Sequence, residues 1–202
     1  MDNVAIIILA AGESSRLGRP KQNLFYNGKS LVQHVADEAR AAHLSPVVVV
    51  TGAFEKELTG RLHTEGLVVV HNPRWSEGMG SGISLGIDTI AEAGGADAVI
   101  ISVCDQPFLS AGVFTDLLNA RRHTGKGIIG SAYGGTVGVP VLYDKKYFAA
   151  LKDVEEGEGS KKILHRFADD LARIGFDAGA IDIDTEEDYN LLLDQSSEGS
   201  LQ

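Results

Sequence analysis

The sequence predicts an α/β protein, a three-layer αβα sandwich around a mostly parallel, Rossmann-like twisted sheet. Three observations carry this reading. The runs VVVV at Val47–Val50 and AVIIS at Ala98–Ser102 are continuously apolar, not alternating, as strands covered on both faces are. Segments with helical apolar spacing fall between the apolar runs and give a βαβαβα order. No repeat or linker interrupts the 202 residues, a length that suits one domain with a real core.

Taken in order, the first strand is Val4–Leu9. In the helix that follows, Ser30 and Gln33 have capping-box spacing, and Leu31, Val32, Val35, Ala36 and Ala39 share one face. Strands are expected at Val47–Thr51 and Leu67–His71, then a helix over 81–93 and a central strand at Ala98–Val103. A helix over 110–122 comes next. The Gly-rich stretch GIIGSAYGGTVGVPVLY breaks the alternation and predicts a hairpin of Gly127–Ala132 and Val137–Tyr143. Helices over 160–174 and 185–194 flank a short strand at Ala180–Ile183. One domain is expected over 1–194, with 195–202 as a polar, flexible tail.

Composition narrows the function. A formal net charge of −10 argues against general nucleic-acid binding, which needs a basic footprint. No apolar run approaches the roughly 20 residues that span a bilayer, so no membrane partner is expected. The N-terminal run lacks a cationic flank and reads as a strand, not a signal peptide. Cys104 is the only cysteine, so no intramolecular disulfide can form, and a cytoplasmic location follows. At the end of an apolar strand, Cys104 reads as a small buried hydrophobe and not a nucleophile. The six histidines show no metal-ligand spacing.

Against this acidic background, LAAGESSRLGRPK at Leu9–Lys21 gathers Arg16, Arg19 and Lys21 around Gly12 and Gly18. In an open parallel sheet, ligands sit beyond the carboxyl ends of strands. Glycines there admit a close approach, free N–H groups bind anions, and Arg16 and Lys21 add charge for a polyphosphate. A solvated surface loop is the plain alternative. A Walker A motif would need glycine where Asn23 stands. In Gly78-Met79-Gly80-Ser81-Gly82 the third glycine of GxGxxG would fall at Ile83. Both motifs fail, which argues against an ATPase or a dehydrogenase.

LAAGESSRLGRPK resembles the LAAGxSxRxGxPK signature of the nucleotidyltransferases that attach a nucleotide to molybdopterin. NPRWSEGMGSGISLG, CDQP at Cys104–Pro107, GVP at Gly138–Pro140 and DIDTEEDY at Asp182–Tyr189 continue the likeness in the family's order over nearly the whole chain. The likeness is greatest to the MocA-like cytidylyltransferase branch of the MobA-like family. It implies a nucleotide-diphospho-sugar transferase-like fold. It further implies transfer of CMP from CTP to molybdopterin or the molybdenum cofactor, with Mg²⁺ and release of pyrophosphate. GTP in place of CTP, another phosphorylated acceptor, or a non-catalytic cofactor carrier remain open. A molybdenum hydroxylase would be the recipient.

The resemblance assigns Leu9, Ala10, Ala11, Gly12, Asn72, Gly78 and Ser81 to the nucleotide, with Arg16 and Lys21 on its phosphates. Asp105 and Asp184 are the expected metal ligands, and Asp105 is also placed with Arg16 and Lys21 in catalysis. Strand-end placement supports both carboxylates. Turn or cap roles are the alternatives, and Asp182 stands beside Asp184 as a competing ligand. Asp188 reads as a helix-surface residue. Trp75 is either a core anchor or a cleft wall, and Gly82 stands where the family commonly has Ser. Lys161 and Lys162 meet the cofactor or are simply exposed. Cytidine users in this family carry LAAG where guanosine users carry LAGG, so Ala11 points to CTP.

Overall fold

In the computed structural model, residues 3–14, 16–60, 62–153 and 161–199 are described. Strand β1 (Val4–Ala10) is followed by a two-stranded ribbon, β2 (Phe25–Tyr26) and β3 (Lys29–Ser30), and by α1 (Leu31–Ala41). Then come β4 (Val47–Thr51), α2 (Glu55–Thr59), β5 (Leu67–His71), α3 (Met79–Glu92), β6 (Ala98–Val103) and α4 (Ala111–Thr124). The hairpin is β7 (Ile128–Tyr133) and β8 (Thr136–Asp144), followed by α5 (Phe148–Lys152), α6 (Lys161–Arg166), β9 (Leu171–Gly175) and α7 (Glu186–Gly199).

The seven-stranded sheet runs β5-β4-β1-β6-β8-β7-β9, with β8 antiparallel to both neighbours and every other pair parallel. The α/β sandwich expected from the sequence is thus formed. Alternate residues of β1 divide the core. Val4, Ile6 and Ile8 pack beside α1 and α4 residues such as Val35 and Phe114. Ala5 and Ile7 pack beside Ile83 and Ile87 of α3 and Ile163 of α6. Ser30 caps α1 by accepting from the Gln33 N–H, but the Gln33 side chain accepts from the His63 N–H and donates to Asp37, so only the first half of the expected capping box forms.

From β1 the chain moves outward through β4 and β5, then returns to β6 on the other side of β1. That reversal opens a crevice at the carboxyl ends of β1 and β6, where ligands of such sheets bind. The glycines of α3 keep the crevice close to the sheet. A methyl on Gly86 would lie 2.7 Å from Ile7 Cδ1, so only hydrogen lets the helix pack this near β1. Gly78, with φ +99, supplies the left-handed turn that starts the helix.

Three segments differ from the sequence reading. The helix expected over 160–174 ends at Arg166, and Leu171–Gly175 is an edge strand parallel to β7. Leu171 faces one core layer while Ala172 and Ile174 face the other, the two-residue period of a strand. So short a stretch fits either period until its neighbour is known. Ala180–Ile183 forms no strand: a 3-10 turn covers Asp177–Ala180. Helix α7 also runs on to Gly199, past the boundary at 194 drawn from sequence.

Candidate active site

The loop after β1 is anchored by one apolar side chain. Leu17 packs into a small separate core with Leu24, Leu31, Ile183 and Leu192. Backbone bonds from Leu17 and Gly18 to the Ser14 carbonyl close a turn, and Ser14 Oγ accepts from the Lys21 N–H at 3.1 Å. The same small core holds Ile183, whose N–H donates to the Asp105 carbonyl at 3.1 Å. Fixing Ile183 fixes Asp184, and so a carboxylate from far along the chain meets the loop. Hence Asp184 reaches the site through this buried anchor and not through the strand end expected from sequence.

The site's cations and carboxylates interlock. Lys21 Nζ donates to Asp105 Oδ2 at 2.5 Å and to Asp184 Oδ1 at 2.9 Å. Arg16, 70% exposed, donates to the other Asp184 oxygen at 2.6 Å. Burial pushes the Lys21 ammonium down, but the charge of Asp105 and the hydrogen bonds it donates to both carboxylates prevail and hold it above its ordinary value. Burial pushes Asp184 up, but Lys21 and Arg16 outweigh it and hold the carboxyl below the usual range. Asp182 is raised instead, by burial and by the charges of Asp184 and Asp105. Burial, with the charge of Asp105 next, pushes the Cys104 thiol up to about 12, leaving it neutral and inert.

The other expected residues divide. Leu9, Ala10, Ala11, Gly12, Asn72, Gly78 and Trp75 line a cleft of about 220 Å³ that also meets Lys21 and Asp105. Trp75 is partly exposed there, a wall and not a core anchor. Asn72 is buried; its Nδ2 donates to Ser81 Oγ at 2.9 Å and its Oδ1 accepts from the Arg74 N–H. Ser81 Oγ also lies 2.9 Å from the Gly78 carbonyl, so the pair braces the turn that starts α3. At Gly82 an added methyl would crowd Leu9 Cδ2 at 3.2 Å. Arg19 turns away to Glu186 at 2.7 Å and lies over the Tyr189 ring, tying the loop to α7.

Asp188 is not a plain surface residue. It accepts from the Asp184 and Thr185 N–H groups, and Thr185 Oγ1 accepts from its own N–H: a capping box centred on Thr185. Lys162 is exposed on α6, and the Lys161 side chain lies outside the described residues. Sequence reasoning passed over Gln22 and Gln106, two buried amides flanking the cleft. Gln22 Nε2 donates to the Ala10 and Gly12 carbonyls at 3.0 and 2.8 Å. Gln106 Nε2 donates to the Val139 and Gly179 carbonyls. A buried amide beside a charged motif residue was the available signal: each directly follows Lys21 or Asp105.

The two carboxylates suit a hard divalent cation. Oxygens of Asp105 and Asp184 already converge on one cation, the Lys21 ammonium. Among the described residues no group of three or more His, Cys, Asp or Glu is placed to hold a metal. A cation here would complete its shell with phosphate oxygens and water, as magnesium and its relatives do in nucleotide sites.

An open sheet with a cation-bearing loop and paired carboxylates at its switch point is suited to a polyphosphate ligand. The chain belongs to the MobA-like NTP transferase family, whose domain model matches residues 6–171. It is 31% identical to nicotine blue oxidoreductase of Paenarthrobacter nicotinovorans, over 92% of this chain and 95% of that one. It is 30% identical to the "Probable molybdenum cofactor guanylyltransferase" of Opitutus terrae, over 82% and 78%. The fold matches Rv0371c of Mycobacterium tuberculosis in its complex with manganese, with a TM-score of 0.76 and 22% identity, over 96% and 98%. No helix among the described residues is long and apolar enough to cross a membrane.

Proposed function

We propose that the protein transfers CMP from CTP to the terminal phosphate of molybdopterin, or of its molybdenum-bearing form, and releases pyrophosphate. The observation that carries this is Lys21 held between Asp105 and Asp184 at the mouth of the cleft lined by Leu9–Gly12. The acceptor phosphate needs no protein base, because the second pKa of a monoester is about 6. One of its oxygens attacks the α-phosphorus, the bond from that phosphorus to the bridging oxygen breaks, and pyrophosphate departs. Backbone of Leu9–Gly12 holds the base and ribose. Lys21 exchanges its carboxylates for nucleotide phosphate oxygens, and Arg16 adds charge where the leaving group develops it.

Asp105 and Asp184, freed of Lys21, would hold Mg²⁺, which supplies neutralisation of phosphate charge. The manganese held by the Mycobacterium protein supports a divalent ion in this fold. A second cleft of about 540 Å³ opens at the carboxyl end of β7, lined by Tyr133, Thr136, His165 and Arg173, and offers room for the acceptor. On this reading the product passes to a molybdenum hydroxylase in the cytoplasm.

The test is pyrophosphate release with CTP and GTP in parallel, using molybdopterin with and without molybdate. Release that requires the acceptor and prefers CTP is expected. Preference for GTP, as the Opitutus relative's name suggests, would move the base assignment. Cofactor binding without release would make the protein a carrier. Redox turnover of nicotine blue, the compound in the Paenarthrobacter relative's name, without any release of pyrophosphate would overturn the transfer reading.

A further inference from the structure

Gln22 is 1% exposed and spans the loop that lines the cleft. Its amide group has two hydrogens, and each is used: one reaches the Ala10 carbonyl at 3.0 Å, the other the Gly12 carbonyl at 2.8 Å. A flipped amide would set its oxygen against both carbonyls, so the orientation is fixed by the loop. Between these two, the Ala11 carbonyl accepts from the Ala53 N–H at 3.3 Å. Three successive acceptors of the loop are therefore occupied by the protein itself. Each of these carbonyls already spends one lone pair inside the protein, which weakens the loop as an acceptor for a ligand relative to its N–H groups.

The other end of Gln22 is anomalous. Its Oε1 is buried with no hydrogen-bond partner. A buried acceptor without a donor carries an uncompensated desolvation penalty, and a leucine of similar volume would avoid it. Stability alone therefore does not account for an amide at this place. Its two donated bonds do, if the loop must be held with its carbonyls turned inward.

We infer that Gln22 is a positioning residue that biases the loop toward hydrogen-bond donation and thereby favours cytosine over uracil. The inference rests on the nucleotide reading above. Through its O2–N3 edge cytosine shows two adjacent acceptors to such a surface, its N4 amino donor lying beyond that edge. Uracil places an N3–H between its oxygens, and that hydrogen meets only weakened acceptors while Gln22 holds the carbonyls. Releasing the carbonyls would give uracil its missing partner and cost cytosine its preorganised donors.

The experiment compares wild type with Gln22→Leu by calorimetric titration with CTP, UTP and inorganic tripolyphosphate at equal magnesium. Wild type should bind CTP better than UTP, and both better than tripolyphosphate. In Gln22→Leu the CTP-to-UTP affinity ratio should fall about tenfold, one hydrogen bond's worth, with tripolyphosphate binding changed less than about twofold. Gln22→Met, which keeps an unbranched side chain, serves if the leucine variant does not fold. An unchanged ratio overturns the inference and leaves the nucleotide reading intact, and a fall in all three affinities together, or failure of both variants to fold, also overturns it by making Gln22 structural. Wild type that binds CTP no better than tripolyphosphate overturns the nucleotide reading itself.

Discussion

Replacing Lys21 by methionine keeps the stem and removes the ammonium that two carboxylates share. The side chains of Lys21, Asp105 and Asp184 are 17%, 16% and 25% exposed, so solvent screens the group only in part. Hydrogen bonds between charged partners contribute about 1.5–3 kcal/mol each, and Lys21 makes two. Their removal also leaves two like charges facing each other, though Arg16 still holds Asp184. Lys21→Met should therefore lower stability by roughly 2–4 kcal/mol. For a chain of this size that is a fall in Tm of about 5–15 °C. Magnesium should restore much of the loss in the variant, because the emptied place suits a cation, and should do little for the metal-free wild type. In pyrophosphate release the variant should lose about ten- to a hundredfold in kcat/KM, the value of one charge-assisted phosphate contact. The assays are thermal melting with and without magnesium and steady-state turnover over nucleotide concentration. A melting point within a degree of wild type, with turnover within twofold, would refute the shared-cation argument.

Asp105→Asn keeps an acceptor for Lys21 and should fold normally, but should reduce turnover by at least about a hundredfold by removing charge from the cation site. Near wild-type turnover across magnesium concentrations would remove Asp105 from that role. Ala11→Gly should relax the preference for CTP over GTP by about 1–2 kcal/mol, measured as paired kcat/KM values, since the methyl borders the cleft and purine is the larger base; an unchanged ratio places selectivity elsewhere. Asp170, which accepts from Tyr147 and Lys146, is pushed up by burial but held by these partners at about 2 against an ordinary 3.8. Its contribution is then present above pH 3.8 and lost as pH falls through about 2, so wild type should outlast Asp170→Asn in denaturant at neutral pH and converge with it near pH 2; a gap that is constant with pH would show that the carboxylate is not responsible.

The central sheet was legible because its strands announce themselves by composition. Val47–Val50 and Val99–Ile101 are buried on both faces, and no other element tolerates such runs at that length. The edge was not legible. Leu171–Gly175 is defined by the strand beside it, and a five-residue segment carries too few turns of either period to reveal its partner. The same limit hid the route by which Asp184 arrives. Nothing local to AIDI says that Ile183 will be buried against Leu17, a contact between the two ends of the chain. The loop residues were legible as a group, through glycine, arginine and lysine after a strand. Gln22 was not, because an amide has no periodicity and its work is done on backbone atoms.

That contrast bears on why so acidic a chain concentrates cations here. Two carboxylates at the sheet's switch point would repel each other in the free protein. Lys21 and Arg16 remove that penalty, and they do so from the loop that also faces the cleft. On the proposed reading, a nucleotide's phosphates and the carboxylates would compete for the same two side chains. On the same reading, a triphosphate accompanied by a divalent ion would satisfy both sides at once: Lys21 and Arg16 would pair with its oxygens, and Asp105 and Asp184 would hold the metal. Either partner alone leaves charges unpaired. On the proposed reading, the free site would already hold its charges in balance, with the Lys21 ammonium compensating the carboxylates that would hold the metal. Binding is then an exchange of ion pairs, not a new separation of charge.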